Sequence, residues 1–334
     1  MAYDPDTMTL VADVGGTNTR VALADGPKVL KETIRKYRNA EYPGLESVLK
    51  DYIAKEDDVD TKACCVCIAG PVRDGVGSLT NLNWTIDKEM LRRATRAETV
   101  AVLNDLQAPG HALGHIDDSC LTPIIPQPEA SPNAARLVIN IGTGFNVAAV
   151  YETETGRYVP PAEAGHANLP IRTEADLRLL KFIETAHGFP GVEDLLSGRG
   201  LERAYAFHAR EAGSPAEKSS QAIISALEDG SDLMAEDAAR MFVRLFGTVA
   251  GNLSLIFLPF GGVYLVGGMA KAMKPYYANF GFEGAFRDKG RFAGFMGNFG
   301  VTVVEDDFAP LTGCAAHSAA LLAHGGSSGK DRAS

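Results

Sequence analysis

Residues 10–24 and residues 137–151 repeat one pattern, and that repeat constrains the fold more than any other feature. LVADVGGTNTRVALA is answered 127 positions later by LVINIGTGFNVAAVY. Each copy has an apolar run, a turn built on glycine and threonine, and a second apolar run. That is the pattern of strand, tight turn, strand. Glycines in such a turn accept positive φ and let the backbone approach a ligand closely. Two such hairpins so far apart predict two domains of related build facing each other.

Between and beyond them, strands alternate with helices, which implies an α/β fold whose ligands collect at the carboxyl ends of the strands. A helix is predicted from Pro43, with Leu45, Val48, Leu49, Tyr52 and Ile53 as its apolar stripe. Strands are predicted at 63–69 and 99–103, the second followed directly by Asn104 and Asp105. Residues 122–136, TPIIPQPEASPNAAR, hold four prolines and read as a connection. Later come a helix with Thr173 as its N-cap, and a long apolar helix over 232–258 stopped by Pro259. A strand at 263–266 is broken by Gly267 and Gly268, and helices are predicted over 269–277 and 312–324. Residues 325–334, GGSSGKDRAS, read as a disordered tail.

Charge and composition remove several classes. With 32 Lys and Arg against 42 Asp and Glu, the formal charge is −10. The chain therefore lacks the basic footprint of a nucleic-acid binder. No run approaches ~18 consecutive apolar residues, so no membrane span is expected. The N-terminal MAYDPDTMTL lacks the basic-then-apolar pattern of a secretory signal, and a cytoplasmic location is expected. Three of the five cysteines, Cys64, Cys65 and Cys67, crowd into ACCVCIA, a buried-strand pattern. Cys64 and Cys67 form a C-x-x-C, but no second pair or nearby histidine completes a zinc site. They read as small core residues in a reducing compartment.

The chemistry-bearing residues each admit two readings. Asp13, followed by Gly15, Gly16, Thr17 and Asn18, reads either as a phosphate turn with Asp13 near Mg²⁺ or as a plain hairpin. Gly142, Thr143 and Gly144 repeat the turn and favour a clamp on a polyphosphate from two sides. Asp105 reads either as a helix N-cap or as the general base that a kinase-type transfer needs. Glu163 and His166, in AEAGH, suit vicinal sugar hydroxyls. Glu193 suits the same role or a first-turn helix carboxylate. The familiar phosphate signatures fail. GGSSGKD has His324 where the first P-loop glycine belongs, and Asp331 replaces the Ser or Thr. GTGFNV has Val147 where the third glycine of a dinucleotide fingerprint belongs.

The set LVADVGGTNTRVALAD, LTNLNW, LNDLQA, INIGTGFNVA, EAGH, VEDLLSGRGL and GGVYLVGG, in that order, resembles the bacterial ATP-dependent glucokinase family of the actin–hexokinase–Hsp70 superfamily. The resemblance implies two actin-like, ribonuclease H-like domains facing a central cleft. The small domain would hold 1–115 and 306–325, the large one 116–305, with 326–334 as tail. It implies phosphorylation of glucose at the 6-hydroxyl by ATP with Mg²⁺. Asp105 would be the catalytic base, and Asn104, Glu163, His166 and Glu193 would bind sugar hydroxyls. Asp13 to Asn18 would form the first phosphate turn, Gly142 to Gly144 the second, and Gly267 with Gly268 the adenosine motif. A homodimer is implied too. A kinase for mannose or glucosamine, a polyphosphate-using enzyme, and a non-catalytic sugar sensor stay open as alternatives. Asn146, Ala162 and Ala164 depart from the family by standing where glycines are usual, which bears on nucleotide affinity and sugar selectivity. A related kinase group follows E-x-G-H with a zinc-binding cysteine cluster; residues 167–200 contain no cysteine.

Overall fold

A computed structural model describes residues 8–79 and 82–327. The chain divides into two compact units: unit 1 holds residues 1–118, 155–161 and 306–334, and unit 2 holds 119–154 and 162–305.

Unit 1 is built on the first hairpin. β1 (Met8–Val14) pairs antiparallel with β2 (Asn18–Asp25), setting Val14 opposite Thr19. β2 also pairs with the short β3 (Lys28–Val29) and with β4 (Arg35–Arg38). On the other side of β1 lies β5 (Ala63–Ile68), parallel to it. A small separate sheet follows, formed by β6 (Val72–Arg73), β7 (Val76–Ser78) and β8 (Thr85–Ile86). β9 (Thr99–Asn104) then completes the main sheet, parallel to β5.

Both faces of this sheet are covered, so its central strands are apolar on both sides. Leu10, Ala12 and Val14 face a core shared with the helices Leu45–Lys55 and Lys88–Thr95. All five residues of the stripe from Leu45 to Ile53 are buried there. Val11, Cys65, Cys67 and Leu103 face a second core with Ala108, Leu311, Cys314 and Ala315. The cysteines of ACCVCIA thus fill core positions on both faces: Cys65 and Cys67 lie under the helices Gln107–Ala112 and Ala309–Ser327, and Cys64 lies in the first core.

Unit 2 repeats the plan. β10 (Leu121–Ile125) is an edge strand, and β11 (Arg136–Ile141) forms an antiparallel hairpin with β12 (Phe145–Thr153). The short β13 (Gly156–Tyr158) falls within the segment grouped with unit 1. β14 (Val263–Val266) lies parallel to β11, and β15 (Val301–Val304) parallel to β14. The order β12-β11-β14-β15 reproduces β2-β1-β5-β9.

Three expectations need correction. The proline-rich stretch is not wholly a connection, because Leu121–Ile125 pairs antiparallel with β15. Pro123 is accommodated because it sits on an edge strand, with a register shift between Pro123 and Ile125. The helix expected over 269–277 stops early: it spans Gly268–Ala272 and gives way to a 3₁₀ turn at Lys274–Tyr276. Pro275 lacks the N–H that an α ladder would use. The last helix is longer than expected, Ala309–Ser327, so three residues of the expected tail are helical. The remainder of that tail, residues 328–334, lies outside the described residues, as do Thr80 and Asn81 of LTNLNW.

The helix Leu233–Phe257 is long and apolar enough, by length and composition, to cross a membrane. Its apolar window is 56% buried in unit 2, where it packs on the helices Gly198–Glu211 and Phe282–Arg287. Asp232 caps its start, accepting a hydrogen bond from Met234 N at 2.9 Å. Before it, the helix Glu174–His187 carries the expected Thr173 cap, completed by Asp176 into a capping box.

Candidate active site

In unit 1 the three parallel strands end in one row, Val14 beside Ile68 and Ile68 beside Asn104. This carboxyl edge collects the first glycine turn and the Asn104–Asp105 pair. Gly15 N donates to Asn18 O at 3.0 Å and closes the turn. Gly16 and Thr17 are exposed at its tip. Asn39, buried and far away in sequence, clamps the turn from below. Its Nδ2 donates to Gly15 O at 2.7 Å, its backbone N to Thr17 O at 3.0 Å, and it accepts from Thr19 Oγ1 at 2.8 Å. Nothing local in the sequence marks Asn39, since its partners lie some twenty residues upstream.

Asp13 points to the face of the second core. Burial raises its pKa, and Arg20, 3.3 Å away on the neighbouring strand, opposes that rise, as does the Cys67 thiol at 3.7 Å. Asp105 is exposed, and its backbone N donates to Ile68 O at 2.9 Å. It is not the N-cap of the following helix, which starts after Leu106. Asn104 holds the loop instead: its Nδ2 donates to Gly70 O at 3.0 Å and its Oδ1 accepts from Leu106 N at 2.9 Å. An amide nitrogen carries two hydrogens, so one remains for a ligand. Gln107 ties the same loop down, accepting from Asn104 N at 3.0 Å and donating to Val159 O at 2.7 Å.

In unit 2 the predicted residues gather around the start of β12. Gly142 N donates to Gly144 O at 2.9 Å and forms the second turn, with Thr143 exposed. Gly198 N donates to Gly142 O at 2.9 Å and fixes the start of its helix on that turn. Gly267, at φ 100°, passes so close to Ile141 that a Cβ would lie 2.4 Å from its carbonyl oxygen. Only glycine fits there. Glu193 lies in the first turn of a short helix, Val192–Leu195, and its carboxylate reaches to β12: Oε2 accepts from Phe145 N at 2.9 Å. Glu163 and His166 are both exposed on the preceding loop. Gly165 of that loop packs against Phe145 O, where a Cβ would come within 2.2 Å. The second turn, Glu193 and the Glu163 loop are therefore fixed to one short stretch of backbone.

A glucokinase family profile matches residues 10–321. The chain belongs to the glucokinase family. Membership makes it a hexose phosphotransferase with the two-domain α/β architecture of the actin-like kinases. A glucokinase of Chromobacterium violaceum is 32% identical over 328 residues, covering 94% of this chain and 90% of that protein. A glucokinase of Hahella chejuensis is 30% identical over 307 residues, covering 92% and 95%. Among solved structures, a glucokinase from an Antarctic psychrotroph has a TM-score of 0.85 at 27% identity, covering 93% of this chain and 98% of its own. Within the family, this chain has Asn146, Ala162 and Ala164 close together around Glu163, and the amide of Asn146 contacts both alanines.

Proposed function

We propose that this glucokinase-family chain transfers the terminal phosphoryl group of ATP to the 6-hydroxyl of glucose, with Asp105 as the general base. The observation that carries the role of Asp105 is its position: an exposed carboxylate at the carboxyl end of a parallel strand, on a loop fixed by Asn104 and Gln107. As the hydroxyl oxygen bonds to the γ-phosphorus and the bond to ADP breaks, Asp105 accepts the hydroxyl proton. Such transfers need little covalent chemistry beyond this and depend on positioning and charge stabilisation. Glu163, His166, Glu193 and the free amide hydrogen of Asn104 supply hydrogen bonds to the other sugar hydroxyls. The exposed tips of the two turns, Gly16–Thr17 and Thr143, offer backbone N–H groups to the phosphates, with the half-buried Gly144 beside the second.

Mg²⁺ fits this arrangement as a partner of the nucleotide. The described residues hold no cluster of three or more metal-ligating side chains. Mg²⁺ bound with a nucleotide typically uses one or two carboxylates plus phosphate oxygens and water, and Asp13 supplies one. When bound, the ion neutralises charge on the phosphoryl oxygens. A cytoplasmic homodimer is part of the same proposal, and sedimentation velocity reads its oligomeric half.

The test is ADP release with glucose, mannose, glucosamine, fructose and no sugar. Glucose-dependent release, with phosphate found on the 6-oxygen, is expected. Release indifferent to every sugar would overturn the proposal, and preference for another hexose would correct the substrate.

A further inference from the structure

Asn146 is the second residue of β12, four positions past Gly142. Its side chain is turned to the Glu163 loop and grips that loop on both sides of Glu163. Nδ2 donates to Ala162 O at 2.6 Å, and Oδ1 accepts from Ala164 N at 3.0 Å. Oδ1 also accepts from Val147 N at 2.8 Å, which fixes the amide to its own strand. Nδ2 lies 3.5 Å from Glu163 Oε2. Glu163 is exposed, so packing does not orient its carboxylate. Among the described residues, that amide nitrogen is the only side-chain partner of the Glu163 carboxylate.

We propose that Asn146 is a positioning residue for sugar binding: its amide sets the backbone around Glu163 and the direction of the Glu163 carboxylate. This rests on the reading of Glu163 as a sugar ligand. A bare glycine hairpin would leave the loop to hold itself. Here one side chain replaces that freedom with fixed geometry, and pre-orientation lowers the entropy lost when the sugar binds. The neighbouring Phe145 extends the consequence. Its N–H holds Glu193 and its carbonyl contacts Gly165, so two adjacent residues fix both acidic sugar ligands relative to the second turn. Sugar affinity and selectivity between epimers at the hydroxyl that Glu163 meets are then set partly by Asn146.

The experiment compares the unaltered enzyme with N146G and N146D. The readouts are KM for glucose, KM for ATP, kcat, thermal midpoint, and the pH dependence of the glucose KM. N146G removes the grip without adding charge. N146D keeps the shape, loses both donated hydrogen bonds and sets a second carboxylate beside Glu163. Like charges at that distance raise a carboxyl pKa. Glu163 accepts sugar hydrogen bonds best when ionised, so its protonation weakens binding. In both variants the glucose KM is expected to rise ~10-fold, the worth of roughly one hydrogen bond to a charged group. KM for ATP should stay within ~2-fold and kcat should fall far less than the glucose KM rises. In N146D alone, the glucose KM should begin to climb at a higher pH on acidification. If N146D does not fold, the same KM split in N146G carries the test. An unchanged glucose KM, or a rise in both KM values together with a lowered thermal midpoint, would overturn the proposal and leave Asn146 a structural residue. If the unaltered enzyme phosphorylates no hexose, the reading of Glu163 fails first, which separates the two failures.

Discussion

Asn39 and Asp105 show the two ways a single residue can matter in this chain. Asp105 is the proposed base. Asn39 shapes the first glycine turn, through three hydrogen bonds to Gly15, Thr17 and Thr19. Asn39→Ala leaves Gly15 O and the Thr19 hydroxyl without that partner in a buried setting, a loss of about 1–3 kcal/mol. The expected outcome is a lower thermal midpoint and a several-fold higher KM for ATP, with KM for glucose nearly unchanged. An unchanged KM for ATP would show that the turn holds its shape without the clamp. Asn104 and Asp105 were legible in the sequence, because a polar pair straight after an apolar strand falls at the carboxyl edge of a sheet. Asn39 was not, because its role exists only once β4 has paired with β2 and brought it beneath Gly15. Asn146 stood out as a departure, but its grip on Ala162 and Ala164 required the loop to fold back on β12.

At the scale of elements, the helix Ala309–Ser327 decides how the Asp105 region is supported. Gly313 lies against the helix Gln107–Ala112, and a Cβ there would be 1.7 Å from Ala108 O. Gly313→Ala forces these helices apart, and overpacking of this kind costs about 1–3 kcal/mol. Since the displaced helix directly follows Asp105, kcat should fall along with stability, while KM for ATP should change less. A fully active and equally stable variant would contradict that support. The same pair of helices buries His111 against His317, with ring centroids 4.4 Å apart. Burial, followed by the nearby His317 and Arg157, pushes His111 down to about 3. Burial, followed by Lys88, pushes His317 down to about 4. Both values lie below the unfolded reference of about 6.5, so the unfolded chain binds more protons between them. Stability from this pair is therefore full above about pH 6.5 and is lost as pH falls toward about 4 and then about 3. Urea midpoints at pH 7 and pH 5 should differ less in His111→Gln than in the unaltered chain; an equal difference would rule the pair out as a source of acid sensitivity. The helix over Leu45–Lys55 was readable from its stripe alone. The edge strand Leu121–Ile125 was not, because prolines argue against a strand until its partner shows that it lies at an edge.

At the scale of the whole molecule, the repeat of residues 10–24 in 137–151 became two sheets of the same strand order. That much follows from pattern, since a hairpin flanked by parallel strands has few alternatives. The grouping of residues 155–161 with unit 1 does not follow from pattern. Gln107, which donates to Val159 O at 2.7 Å, contributes to it, as does Arg157, whose Nη1 donates to Gly110 O, His111 O and Leu113 O at 3.3, 2.9 and 2.6 Å and satisfies carbonyls at the end of the helix Gln107–Ala112. Such contacts across some forty residues leave no local mark. If the chain binds glucose as proposed, glucose must bind only the folded chain. At 100 times its Kd it should then stabilise the fold by about 2.7 kcal/mol, seen as a higher thermal midpoint. A midpoint indifferent to glucose would mean that no such site forms.

The most direct measurement compares single-turnover phosphorylation of glucose by the unaltered enzyme and by Asp105→Asn, with glucose binding measured separately on each. The expected result is a loss of roughly 10²–10⁴-fold in the transfer rate with glucose binding and thermal midpoint retained. Near-equal rates in the two proteins would contradict Asp105 as the base that readies the hydroxyl.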